Sequence, residues 1–253
     1  MTREAAKRLL PARVRQAARE RLGAGWPPVG WVRFGSLRRL APVTRTFGFE
    51  RGQPIDRYYI EHFLRRHSGV DGYGAGDIRG RVLEVGDDAY TREFGTGGVE
   101  QVDVLSADAA NPAATLVADL SAGEGIPADA FDCIICTQTL QFVYDVREAV
   151  RTLHSALRPG GVALATMHGI GQISRPDDDL WGEYWRFTSS SARRLFQEVF
   201  APEDVSVEAY GNVLSATAYL HGLAAEDLRR EELDLRDPDY ELVVAVRAVR
   251  QAG

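Results

Sequence analysis

The residues of this chain best placed for binding chemistry are acids at the ends of apolar runs. Arg81-Val-Leu-Glu84-Val-Gly86-Asp87-Asp88 is an apolar run with one embedded acid, then a glycine, then two more acids. A buried parallel strand that ends in a tight glycine turn builds a ligand crevice at its carboxyl end. Seventeen residues after Gly86, Asp103 closes the run Val99-Glu-Gln-Val-Asp-Val104. An acid at that distance, at the end of a second strand, suits a ribose hydroxyl pair. Asp119 closes a third run, Ala114 to Leu120. Asp87 and Asp88 would repel the phosphates of a dinucleotide and attract a cationic ligand. A plain strand followed by an acidic turn accounts for the same stretch, and Asp119 also reads as a turn or helix cap.

Further along, Thr137-Gln138-Thr139-Leu140-Gln141 puts polar residues directly after the apolar run Phe131 to Thr137. His168 follows the run Val162 to Thr166. It stands where a general base would serve a hydroxyl acceptor, and an edge-loop surface position is the other reading. The connection from Met167 to Phe187 holds Trp181-Gly-Glu-Tyr184-Trp185-Arg186. A long aromatic loop of this kind reads as a substrate lid or as a staple for the next helix. Rings beside arginine and acids suit a sugar or an aromatic hydroxyl compound. Cys133 and Cys136 lie three apart on one strand, so their sulfurs face opposite sides and the pair reads as core packing. Asp177 to Asp179 reads as a solvated run, and no cluster has convincing metal-ligand spacing.

The order of these motifs resembles class I S-adenosylmethionine (SAM)-dependent methyltransferases over about residues 54 to 248. Val82, Leu83, Glu84 and Gly86 match that family's V-L-E/D-x-G-x-G-x-G strand and turn, with Asp88 and Tyr90 where the second and third glycines stand. Ile126-Pro-Ala-Asp-Ala-Phe131-Asp132 resembles its entry to the fourth strand, and Leu157-Arg-Pro-Gly-Gly161 its entry to the fifth. The resemblance implies SAM as cofactor, held by Glu84, Gly86, Asp87, Asp88, Asp103, Asp119, Leu120 and Thr137, with Asp119-Leu120 at the adenine. It also implies that Arg57 and Tyr59 close over the methionine end, unless they are plain helix-surface residues. Tyr59, Gln138, Trp181, Tyr184, Trp185 and Arg186 are then the acceptor-binding residues, and His168 is the first choice of base. The implied reaction moves a methyl group to an oxygen or nitrogen of a small molecule, with a saccharide or glycosylated natural product as the leading acceptor. The two missing glycines motivate an alternative, a methyltransferase-like domain that binds a ligand or partner without methylating.

The elements that must position these residues follow from periodicity. Strands are expected at 81–85, 99–104, 114–120, 131–137, 162–166, 205–210 and 240–246, alternating with helices at 54–64, 146–157, 189–200 and 212–228. That alternation predicts an α/β fold with a Rossmann-like, mostly parallel seven-stranded sheet. In the family resembled, the last strand runs antiparallel beside the fifth. Residues 1–53 are expected to form an N-terminal extension and residues 54–253 the main domain. A helix is expected at 3–22, closed by Gly23 and Gly25.

The chain has 253 residues and a net charge of −6, no footprint for nucleic acid. Residues 1–40 nonetheless hold ten Arg or Lys against two acids. This segment reads as a helical cap, as a peripheral contact with an anionic membrane, or as a surface for a partner. No apolar run is long enough to span a bilayer, and no signal-peptide core is visible, so a cytoplasmic location is expected. The sequence leaves the oligomeric state open.

Overall fold

A computed structural model describes residues 31–70, 76–95 and 97–252. The helix expected at 3–22, and most of the basic segment, lie outside the described residues. The chain divides into two units, one ending at Ala41 and one running from Pro42 to Gly253. The division therefore falls before the 53/54 boundary expected from sequence. Residues 42–53 belong with the larger unit because Val43 N–H donates to His221 O (2.7 Å) and Arg51 pairs with Asp227. Of the first unit, the described part holds one short 3₁₀ turn, Gly35–Leu37.

In the larger unit the elements run α1 (Ile55–Ser68), β1 (Gly80–Val85), α2 (Ala89–Phe94), β2 (Val99–Ser106), β3 (Leu116–Val117), β4 (Phe131–Thr137), α3 (Val146–Ala156), β5 (Leu157–His168), α4 (Arg175–Trp181), α5 (Ser189–Phe196), β6 (Val205–Tyr210), α6 (Val213–Leu220), α7 (Arg230–Asp234) and β7 (Val243–Val249). The seven strands form one sheet in the order β3-β2-β1-β4-β5-β7-β6. β1 to β5 are parallel, and β7 is antiparallel to both β5 and β6. The chain reverses its winding at β1, so the crevice over β1 and β4 is where an open sheet of this kind takes a ligand.

Strand alternation sends successive side chains to opposite faces, and each face carries its own apolar layer. On one face Leu83, Leu105, Ile134, Cys136 and Ala163 pack against Val150 and Leu153 of α3 and Phe196 of α5. On the other, Val82, Cys133, Ile135 and Leu164 pack against Ile60 and Phe63 of α1 and Tyr219 of α6. Cys133 and Cys136 are thus buried on opposite faces, and burial pushes both thiols far above their ordinary value.

Three elements depart from expectation. The third strand is only two residues long: Val104 N–H is taken by Thr115 Oγ1 before it, and after Ala118, which still donates to Ser106 O, the chain turns at Asp119. The helix expected at 212–228 ends at Leu220, where Gly222 turns at φ +66 with Thr44 O 2.3 Å from where a Cβ would stand. Asn212 caps its start by accepting from Leu214 N–H (2.9 Å) and Ser215 N–H (3.0 Å). The fifth strand begins at Leu157, but Arg158-Pro-Gly-Gly161 bulges from the ladder: Leu157 pairs with Phe131 and Val162 with Cys133, Gly160 takes φ +81, and the bulge is tied to Arg250 by backbone hydrogen bonds.

Candidate functional site

The carboxyl edge of the sheet gathers the polar residues. At the end of β1 the Glu84 side chain turns to the helix layer and accepts from Tyr90 N–H (3.0 Å), Thr91 N–H (2.7 Å) and Thr91 Oγ1–H (2.6 Å). It therefore fixes the start of α2 and the turn between, and does not itself reach into the crevice. Gly86 sits at φ +99, and nothing lies within 4 Å of where a Cβ would stand. The turn is bare backbone facing open space, as close approach of a ligand requires. Asp87 is exposed beside it and accepts from Ala89 N–H; Asp88 is tied to Arg92 (2.7 Å).

Arg57 and Tyr59 part company, because residues two apart on a helix face different directions. Arg57 points to this turn: it donates to Tyr90 Oη, and its pKa is raised although burial alone would lower it, because Tyr90, Asp56 and Asp87 surround it. Tyr59 is in the core, stacked on Tyr210 (5.7 Å) with its hydroxyl on Leu233 O (3.0 Å). Tyr59 is not an acceptor-binding residue.

Asp103 is also corrected. β2 continues to Ser106, and the register pairs Asp103 with Leu83 in the middle of the sheet. Its carboxylate is spent on Arg81 (2.7 Å) and Gln101 (3.0 Å), near the amino end of β1. The acid that does emerge at the carboxyl end of β2 is Asp108, exposed in a turn whose Asn111 donates to Gly86 O (2.7 Å). Asp119 lies past the end of β3, exposed, accepting from Ser121 N–H and Oγ–H, and Leu120 beside it is buried.

At the end of β4, Thr137 pairs with Thr166 of β5, and the next residue, Gln138, takes φ +47. A long side chain at positive φ is uncommon and marks a constrained site. The register Glu84↔Ile135, carried two residues on, sets Thr137 beside Gly86. Gln141 donates from Nε2 to both Gln138 O and Gln138 Oε1 (each 3.0 Å).

The loop after α4 lies over this end. Tyr184 N–H (2.8 Å) and Trp185 N–H (3.3 Å) both donate to Gln141 O. Tyr184 and Trp185 expose 49% and 39% of their surface and contact the ring of Tyr144, which is 66% exposed, at 5.2 and 6.1 Å. Trp185 Nε1–H is used on Val143 O (3.0 Å), so its ring faces remain for contact. Trp181 is exposed at the end of α4. Arg186 is held by Glu183 (2.5 Å) and Gln172 O (3.0 Å) and serves as a strut of the loop. Gly182, at φ +79, leaves room for the Tyr184 ring, which lies 2.4 Å from where a Cβ would stand. Gly182→Ala is expected to displace Tyr184 and to cost about 1–2 kcal/mol of stability, which urea unfolding would show.

His168 is enclosed rather than set in the crevice. It is 5% exposed, its Nε2 shares a hydrogen bond with Tyr219 Oη (3.0 Å), and Phe47 lies over it. Burial, helped by the charge of Arg186, lowers its pKa to about 4. It is a neutral packing residue, and the general base expected from sequence is not found in it. Because the folded state refuses a proton that the unfolded chain accepts near pH 6.5, stability is full above pH 6.5 and falls toward pH 4, by roughly 3 kcal/mol. Denaturant midpoints at pH 7 and pH 4.5 would show this, and His168→Asn would reduce the difference.

A family model described as a methyltransferase domain matches residues 55–204. No curated protein matches the chain. Among solved structures, the [4+2]-cyclase SpnF is similar at 14% identity, over 80% of this chain and 85% of that one, with a TM-score of 0.51. A SAM-dependent methyltransferase from Archaeoglobus fulgidus is similar at 11% identity, over 77% and 94%, with a TM-score of 0.48. The N-methyltransferase NodS from Bradyrhizobium japonicum is similar at 15% identity, over 85% and 96%, with a TM-score of 0.47.

Proposed function

This chain belongs to the SAM-dependent methyltransferase family, and we propose that its crevice over β1 and β4 holds SAM and delivers the methyl group to an oxygen or nitrogen of a small acceptor. The observation that carries the reading is the bare Gly86 turn, open above and flanked by Asp87 on one side and Arg57 on the other. SAM presents an ammonium, a carboxylate, a ribose hydroxyl pair and an adenine. The donor set at this edge fits those groups: Asp87 for the ammonium, Arg57 for the carboxylate, Asp108 for the hydroxyls, and Asp119 with Leu120 for the adenine. When bound, SAM supplies an already activated methyl group.

The chain's own residues then have two tasks. Glu84, Asn111 and Tyr90 keep the Gly86 turn and the Asp108 turn in one arrangement. Gln138 and the Tyr144–Tyr184–Trp185 rings orient the acceptor, and orientation alone is worth orders of magnitude in rate. Arg57→Ala is expected to weaken SAM about tenfold or more by removing the carboxylate's partner, as fluorescence or calorimetric titration would read. Incubation with methyl-labelled SAM and a panel of hydroxyl and amine acceptors tests the reaction. Label moved to an acceptor supports the reading; SAM bound with no label moved across a broad panel would oppose it.

A further inference from the structure

Among the described residues, five buried side-chain nitrogen or oxygen atoms have no hydrogen-bond partner, and three of them gather at the carboxyl ends of β4 and β5. They are Gln138 Nε2, Gln141 Oε1 and Thr166 Oγ1. Gln141 is 1% exposed and Thr166 fully buried. Leaving such a group unsatisfied destabilises the fold, and that cost persists where a ligand completes the bonding. The amide orientation is set by the network: Gln141 Nε2 faces the carbonyl and Oε1 of Gln138, which leaves Gln141 with a free acceptor and Gln138 with a free donor. The strained backbone at Gln138 holds its amide there.

We infer that Gln138 and Gln141 form an amide pair that recognises a neutral hydroxyl of the acceptor, so that this methyltransferase takes an uncharged, ring-containing polyol: a glycoside. The inference rests on the methyl-transfer reading above and names its substrate class. A hydroxyl both donates and accepts, and the pair offers one acceptor and one donor side by side. Neither amide carries charge, so an ammonium or a carboxylate gains no counter-ion there. Glu183 and Arg186, the charged groups of the loop nearest, neutralise each other. The Tyr184–Trp185 segment hangs on the Gln141 carbonyl, and with Tyr144 it supplies exposed ring faces for the apolar side of a sugar. The free atoms are buried as the structure stands, so the inference includes the lifting of that segment from Gln141.

The test is saturation-transfer NMR with methyl β-glucoside and methyl β-galactoside, beside the matching amino sugar and uronate. Each is measured with and without S-adenosylhomocysteine (SAH), on wild type, Gln138→Met and Tyr144→Ala. Met keeps the length of Gln and removes its donor. The inference expects the neutral glycosides to bind best, and to weaken about tenfold in Gln138→Met while SAH affinity stays within about twofold, which shows that the variant is folded. Equal binding of the glycosides to Gln138→Met and wild type, no glycoside binding by the SAH-loaded wild type, or tighter binding of either charged sugar overturns it. A wild type that binds glycoside without binding SAH would instead sink the methyl-transfer reading and leave the amide pair standing.

Discussion

Glu84→Ala is expected to be the most damaging single change at the site, lowering stability by about 3–4 kcal/mol and abolishing SAH binding in whatever protein remains folded. The side chain is buried and holds three donors: Tyr90 N–H, Thr91 N–H and Thr91 Oγ1–H. Removing it leaves those donors unsatisfied at the start of α2, a six-residue helix whose N-cap, Asp88, makes no side-chain cap bond. The Gly86 turn between β1 and α2 then loses its anchor, although the Glu84 carboxylate faces α2 rather than the crevice. Glu84→Gln keeps the shape and one acceptor but turns an amide N–H₂ toward a donor, so roughly half the loss is expected. Urea unfolding of both variants would measure this. A loss below about 1 kcal/mol for Glu84→Ala would show that the carboxylate does not anchor the turn.

Asp77→Ala is expected to cost about 3 kcal/mol without touching the crevice, because it strands a partly buried arginine. Asp77 accepts a two-pronged contact from Arg247 (2.8 and 2.9 Å) and lies 3.0 Å from His67 Nδ1. It ties the approach to β1 to the far end of β7. Burial would raise its pKa, but the Arg247 and His67 contacts outweigh that and hold it at about 2. A carboxylate depressed in the folded state gives its stability above the unfolded pKa near 4 and loses it as the pH falls toward 2. Wild type should therefore lose about 2 kcal/mol across that interval, and Asp77→Asn should lose much less. Thermal melts at pH 5 and pH 2.5 compare the two. An unchanged pH slope in Asp77→Asn would place the acid sensitivity elsewhere.

The sheet could be read from the chain because its buried strands are short apolar runs closed by glycine or polar residues, as at Val82–Gly86 and Phe131–Thr137. What periodicity cannot show is where a strand stops when polar residues continue it. Leu105 and Ser106 extend β2 past Asp103, and that extension moves the acid from the crevice to the middle of the sheet. Asp108, four residues after Val104, was the acid to weigh, and the turn signal Ala-Asp-Ala-Ala-Asn-Pro beside it was the available hint. His168 fell at a strand end as expected, but only tertiary packing could reveal that Phe47 and Tyr219 enclose it. Arg57 and Tyr59 could have been separated by helical phase alone. Gln141 reads from the sequence only as one of the polar residues after β4, and Tyr144 carries no signal because it lies in a connection with no periodicity; the part each plays comes from the loop that folds back on them.

The central claim is that the crevice over β1 and β4 binds SAM through the turns at Gly86 and Asp108. Calorimetric titration of SAH into wild type, Asp108→Ala and Asp103→Ala tests it most directly. The account predicts micromolar binding by wild type, a loss of about tenfold or more in Asp108→Ala, and near wild-type binding in Asp103→Ala. A folded wild type that binds no SAH, or binding lost in Asp103→Ala and kept in Asp108→Ala, would contradict it.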